Sequence, residues 1–482
     1  FTLSAGSAFP GYTITATGSA ITYDGSIPTG GTMTGLTIED ASGHRVITVS
    51  NIAATSVASD LGLFASTVFG WTDIGGGGSG GDPTNAWSVL LAGNDTINGT
   101  DGNDREGLIG VDAGNDVYNM GAGDDRVNGG IGNDTIHGGD GWDTLTYERT
   151  TWSEGVALVR GITVNVDAGT VADPFGYTDH FDGIDEVKGS VANDTFNGGA
   201  TSMVFYGLRG ADKFIGGSSG DDYIVYSDDG WNGGLHGIVA KLGINTVGAN
   251  VLGKVIDGFG NVDKTINIHN VAGTQFKDTF VGSGQNDEFA GGEGKDSYDG
   301  GKGDDRLVFD WYFTDAQQHG INVNLKLKTG QIIDDGFGNK ETAKSIESIQ
   351  GTNFDDTIKG SGGSNRIEGE QGDDTLTGSG GQDVFVWRKF SDIGGHDVVT
   401  DFHAAADPNM DVLRMNVTAW GGSGTLHLVN GSAATSAHDT FIFNKATHML
   451  SWDADGTGGQ AAIDIVQLNG VNALFDTNFD LY

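Results

Sequence analysis

The sequence contains no cysteine and only 5 prolines in 482 residues. Without cysteine there can be neither disulfides nor thiolate metal sites, so an extracellular form of this chain must be held together by something else. No run of 18 or more residues is apolar, which excludes a membrane-spanning helix. No HExxH zinc motif occurs, and no Gly-rich phosphate loop with its lysine. Basic residues are scarce: 25 Lys and Arg stand against 65 Asp and Glu, a net charge of −40. Such a surface repels nucleic acid and anionic lipid. Its self-repulsion also opposes compact folding unless cations neutralise it, and divalent metal is the obvious candidate. No signal peptide is visible, and a chain that starts at Phe1 rather than Met reads as a processed product or a fragment.

Glycine is what the chain has in excess: 84 residues, about 17%, against a usual value near 7%. Glycine does not recur every third residue, so collagen is excluded. Phe, Ile, Val and Leu return at short intervals, which argues against disorder.

The glycines and acids keep a nine-residue beat. It runs through Asp95, Asp104, Asp116, Asp125, Asp134 and Asp143, with one three-residue insertion between Asp104 and Asp116. Later tracts carry Asp278, Asp287, Asp296 and Asp305, and then Asp356, Asn365, Asp374 and Asp383. With acids at about 13% of residues, three further hits at fixed spacing have a chance of roughly 0.002 per start. Positions one to six of each unit are short, polar and Gly-rich, which suits a turn with unusual backbone angles. Positions seven to nine, as in Thr135-Ile136-His137, set one large apolar side chain between two others, a three-residue strand with its middle residue inward. So short a strand buries nothing alone, and successive strands must stack. Two nonapeptides make one coil of 18 residues, placing each Asp above the Asp 18 further on.

The pattern GGxGxDxUx, seen in GGIGNDTIH (129–137), GGEGKDSYD (291–299) and GGKGDDRLV (300–308), resembles the calcium-binding repeat of the RTX family. The resemblance implies an all-β fold, a parallel β-roll or β-solenoid, in which position-six Asp residues 18 apart share a Ca²⁺ with backbone carbonyls of the turns. Oxygen ligands without His or Cys favour calcium over zinc on general grounds too. The implied pairs are Asp116/Asp134, Asp125/Asp143, Asp278/Asp296, Asp287/Asp305 and Asp356/Asp374. Asn365/Asp383 should bind less firmly, having lost a charge. Asp194/Asp212 should also bind, whereas Met203 replaces the acid opposite Asp222, so that site should be absent or weak.

The expected organisation is an N-terminal antiparallel β domain (1–90), a first tract (91–147), three solenoid units each ending in a tract (148–230, 231–312 and 313–388), and a C-terminal β cap with the secretion region (389–482). The units share a segment of alternating apolar residues and a Gly-Phe-Gly or similar turn, as in 161–190 and 320–352, with a looser copy in 237–274. These segments should continue the solenoid as wider, calcium-poor coils. In the N-terminal domain, 30–52 reads as two strands around Asp40-Ala-Ser-Gly43, and 74–83 as a flexible joint or long surface loop. Residues 383–416 and 450–471 resemble the segments that close many RTX solenoids. The terminal NFDLY looks like a type I secretion signal, which implies export from a Gram-negative bacterium to its surface or surroundings.

Catalytic motifs are not evident. GGSGG (77–81) lacks the strand and helix that a nucleophile elbow needs. His396 and His403 flank Asp397 and Asp401, better read as a cap held by hydrogen bonds or calcium than as zinc or catalytic chemistry. His137 and His180 read as surface. The expectation is a non-enzymatic, secreted calcium-binding protein with a structural or adhesive role, self-associating into a layer, matrix or filament. Phe1, Leu3 and Ala5 alternate and could add a strand to a neighbour's sheet, or form an ordinary first strand of their own chain. The alternative is the calcium-binding carrier of an exoenzyme or toxin whose catalytic part lies before Phe1.

Overall fold

The computed structural model describes the strands Thr2–Ser4, Thr13–Asp24, Ile27–Glu39 and Arg45–Ala54, and residues 94, 96–99, 102–104, 114–148, 160–218, 220–247, 250–310, 319–393, 395–404 and 409–482. The loop 74–83 and Asp95 lie outside them. Among the described residues there is no α-helix; short strands, many of three residues, dominate. The chain forms two compact units, Phe1–Ile224 with Asn261–Ile266, and Val225–Gly260 with Asn267–Tyr482.

In the first unit the nonapeptides alternate between two sheets. Thr96–Asn98, Val117–Ala122, Thr135–Asp140 and Thr178–Asp182 stack in parallel on one. Arg126–Val127, Thr144–Thr146, Glu186–Lys188 and Val204–Tyr206 do so on the other, followed by Tyr223 and Ile224. The registers place Thr135 over Val117 and Thr144 over Arg126, the 18-residue coil expected from the repeat. The N-terminal strands form an antiparallel meander, with Glu39 opposite Arg45, while the expected turn at 40–43 lies outside the described residues. Its last strand pairs Thr48–Ser50 with Thr96–Asn98, so the meander and the first coil share a sheet. Thr2–Ser4 pairs with Thr13–Thr15 of its own chain. The first strand is thus an ordinary internal one.

The second unit repeats the plan. Val271, Phe289, Leu307, Ile349, Ile367, Phe385 and Leu413 lie in successive parallel strands of one sheet, in register. The terminal strand Phe479–Leu481 closes that sheet against Val412–Met415. The NFDLY segment is therefore a paired strand here. On the other sheet, Ile463–Leu468 stacks on Asp397–Val399 and turns back through Met449–Asp453 and Thr440–Asn444 in an antiparallel cap.

The segments between tracts differ from the expected plain wide coil. Thr163–Asn165, Thr170–Ala172 and Thr178–Asp182 run antiparallel to one another, and only the outer two pair in parallel with neighbouring coils. One sheet therefore gains two strands, while the other passes directly from Thr144–Thr146 to Glu186–Lys188 and Val204–Tyr206. The reversal has a local cause: Asp173 Oδ1 accepts the N–H groups of Phe175, Gly176 and Tyr177 at 3.0, 2.6 and 2.7 Å, an Asp-headed turn that sends the chain back. Asn322–Asn324 and Ile332–Asp334 pair antiparallel in the corresponding segment of the second unit.

Between the sheets, the middle residues of the repeat strands are buried, as at Ile97, Leu145, Phe196, Phe280 and Ile358. Phe196 stacks on Phe214 with centroids 5.0 Å apart and meets Phe205 of the opposite sheet at 5.1 Å. Phe280 stacks on Tyr298 at 5.1 Å and faces Phe289 at 5.3 Å. Removing one such ring leaves a cavity that neighbouring coils cannot close. Phe280→Ala should cost about 3–5 kcal/mol, read as a lower urea midpoint in saturating calcium; an unchanged midpoint would show that the ring column does not carry the core.

Candidate metal centres

The position-six residues of successive coils form a ladder. Asp134 Oδ1 accepts the backbone N–H of Asp116 at 2.8 Å, and Asp143 Oδ1 that of Asp125 at 3.0 Å, each across 18 residues. The same contact joins Asp212 to Asp194 at 2.8 Å, Asp296 to Asp278 at 2.7 Å and Asp305 to Asp287 at 2.9 Å. It also joins Asp374 to Asp356 and Asp383 to Asn365, both at 2.8 Å. All the expected pairs are brought together. Asp104 takes part as well: its N–H donates to Asp125 Oδ1 at 2.6 Å across 21 residues, so the three-residue insertion is absorbed without breaking the ladder.

The ladder continues past the nonapeptides onto acids that the spacing did not reveal. Asp134 N–H donates to Asp179, Asp143 to Asp185, Asp212 to Asp263, Asp296 to Glu341 and Asp305 to Glu347. In the cap, Asp374 and Asp383 donate to Asp397 and Asp411. A signal was present: the steps of 45 and 42 residues occur in both units. Opposite Met203 the ladder keeps one acid, Asp222, whose two oxygens accept the N–H groups of Met203 at 2.9 Å and Gly217 at 2.6 Å.

Two kinds of turn carry these acids. In the first kind, a Ser or Thr at position two donates back to the acid four residues on. Thr274 N–H donates to Asp278 Oδ2 at 2.7 Å, and its hydroxyl contacts Oδ1 at 3.0 Å. Ser190, Ser283 and Thr352 treat Asp194, Asp287 and Asp356 in the same way. In the second kind, position two adopts a positive φ, as at Gly130 and Gly292, and even at Leu208, Glu370 and Ser379. There the outer oxygen lacks a donor: Oδ2 of Asp134, Asp143, Asp305 and Asp374 is buried without a hydrogen-bond partner. Glycine at position one is required because the carboxylate lies where a side chain would begin; a Cβ on Gly129 would stand 2.8 Å from Asp134 Oδ2. Position four is close-packed and, in several of these turns, left-handed, with Gly294 at φ +137° against the Phe276 carbonyl.

Burial, and then neighbouring acids, push the carboxyls upward: Asp143 to about 6, Asp305 to about 7 and Asp374 to about 9. Asp134 and Asp296 move up for the same reasons, against Asp179 and Glu341 respectively. Stacked buried acids with donor-free oxygens call for a cation of hard-oxygen preference. Among the described residues no three His, Asp or Glu side chains gather as a metal cluster. An ion here would therefore take two carboxylates and complete its shell from backbone carbonyls and water.

The RTX calcium-binding nonapeptide repeat family matches the chain at residues 90–105, 121–149, 181–213, 273–307 and 350–385. This chain carries RTX calcium-binding nonapeptide repeats. No curated protein matches it. The matched stretches contain fourteen of the fifteen expected Asp ligands; Asp116 falls outside them, beside the inserted residues. The His-Asp group of the cap disperses into the RTX ladder. His396 and His403 donate backbone N–H to Asp373 and Asp411, Asp397 accepts from Asp374 and the Trp387 indole, and Asp401 accepts from Gly378 and Ser379. His137 has a partner the sequence did not show, Asp182 at 2.8 Å.

A carboxyl whose folded pKa is raised adds stability below its unfolded value, near 3.8, and that stability is lost as pH rises through the folded value. In chelator, the far-UV β signal should therefore be greatest near pH 4, where the acids are protonated, and be lost as pH rises toward about 9. Calcium affinity should rise over the same range, because the ion displaces protons. A metal-free β signal that grows with pH would contradict the assignment.

Proposed function

We propose that this RTX protein works outside a Gram-negative cell as a structural or adhesive component, exported by a type I apparatus and folded there by calcium. The observation that carries the reading is the acid-on-acid ladder running through both units. Without cations the carboxylates repel, and the Gly-rich chain remains open enough for export. Outside, calcium neutralises the turns, and binding free energy becomes folding free energy. Sites of this kind need only ~0.1–1 mM affinity in extracellular calcium. Beyond the turns, the net charge of −40 keeps the unneutralised chain soluble. No helix among the described residues is long and apolar enough to cross a membrane.

A non-enzymatic role agrees with His and Asp side chains that serve the ladder and the cap. Self-association into a layer, matrix or filament remains part of the proposal.

Far-UV circular dichroism should show β structure in millimolar calcium and lose it in excess chelator. Light scattering in calcium should show particles larger than the 49.9 kDa monomer. Retained structure in chelator would refute calcium-driven folding, and a strict monomer at all concentrations would refute the assembly role.

A further inference from the structure

The two kinds of turn give each tract a direction. Where the third tract begins, the chain itself satisfies the ladder acid. Asp278 Oδ2 accepts Thr274 N–H at 2.7 Å, and Oδ1 receives the Thr274 hydroxyl at 3.0 Å and Ile238 N–H at 2.5 Å. Three donors converge on one carboxylate and leave a cation nothing to do on that side. The second and fourth tracts begin alike: Asp194 takes Ser190 and Ile162, and Asp356 takes Thr352 and Ile321.

Where the third tract ends, acid meets acid. Asp296 N–H donates to Glu341 Oε1 at 2.9 Å across 45 residues. Asp296 is 3% exposed and Glu341 2% exposed, and Glu341 Oε2 is buried without a donor. The charges that act most on the pair are negative: Asp278 on both, and Asp335 on Glu341. The Tyr298 hydroxyl, 3.5 Å from Asp296 Oδ2, is a neutral neighbour. Two buried carboxylates in this setting cannot both stay ionised without a counter-ion. Asp296 also belongs to a turn with left-handed Gly292 and Gly294, the kind that leaves carboxylate oxygens without donors elsewhere.

We propose that Asp296 and Glu341 hold a further calcium ion at the exit of the third tract, outside the 18-residue pairing of the nonapeptides. Glu341 supplies the second carboxylate from the inter-tract segment, and backbone carbonyls and water complete the shell. The ion ties the last repeat coil to the segment that follows, while the entrance of the tract holds without one. The opposite sheet has the same step, with Glu347 Oε2 accepting Asp305 N–H at 3.1 Å and Asp305 Oδ2 buried without a donor. In the first unit the matching acid, Asp179, is engaged by the Tyr147 hydroxyl at 2.7 Å, so Glu341 is the stronger ligand.

The inference rests on the calcium reading of the repeats, and counting bound calcium on the full chain by equilibrium dialysis separates the two. A native chain that binds no calcium would sink that reading. For the exit site, Glu341→Gln should keep the native far-UV spectrum in saturating calcium and bind one ion fewer. Thr274→Val, at the entrance, should leave the count unchanged. If the amide variant does not fold, Glu341→Lys places an ammonium where the ion would sit, and should fold with one ion fewer. An undiminished count in either folded Glu341 variant overturns the exit site, as does failure of the lysine variant to fold.

Discussion

One contact organises this molecule: a backbone N–H of one coil donating to the carboxylate of the next, repeated from Asp104 to Asp411. A hydrogen bond to a charged acceptor contributes about 1.5–3 kcal/mol. Two like charges about 4 Å apart near a protein surface repel by about 4 kcal/mol. The ladder therefore aligns the coils well but cannot hold them while its acids are charged and unneutralised. On the proposed reading that imbalance makes the fold conditional on a cation, and the same imbalance recurs at step after step of the ladder.

Much of the remaining composition follows from the ladder. Carboxylates folded back into their own turns leave no room for a Cβ at position one, and position four of turns such as that of Gly294 is left-handed and packed on a neighbouring carbonyl, so these glycines are structural necessities. Turns of six residues leave only three for a strand, so one apolar side chain per nonapeptide must fill the core. Large rings serve that need, and Phe196, Phe214, Phe280 and Tyr298 form stacked pairs where the strands carry them. Cysteine is unnecessary where metal does the cross-linking.

The coil period, the inward residues and the 18-residue pairing were legible in the sequence because a close repeat fixes them locally. Asp116 over Asp134 needs only a count of residues. The exits were not legible. Glu341 and Asp179 reach the ladder only after an antiparallel excursion of some forty residues, and nothing nearby marks them as members. The inter-tract segments were read as plain coils because alternation alone does not distinguish a parallel strand from a hairpin; the Asp173 turn decides it. The division of turns into two kinds could have been seen. Ser or Thr at position two marks 190, 274, 283, 352 and 361, where its hydroxyl chemistry is local, and Ser379, with its positive φ, is the exception.

The central claim is that neutralising the ladder holds the coils together. Amide hydrogen exchange of the whole chain, read by mass spectrometry with calcium and in excess chelator, tests it most directly. The account predicts that peptides containing the ladder amides of Asp116, Asp194, Asp278 and Asp356 are strongly protected in calcium and exchange at unfolded-chain rates without it. Equal protection of these peptides in both conditions would contradict it.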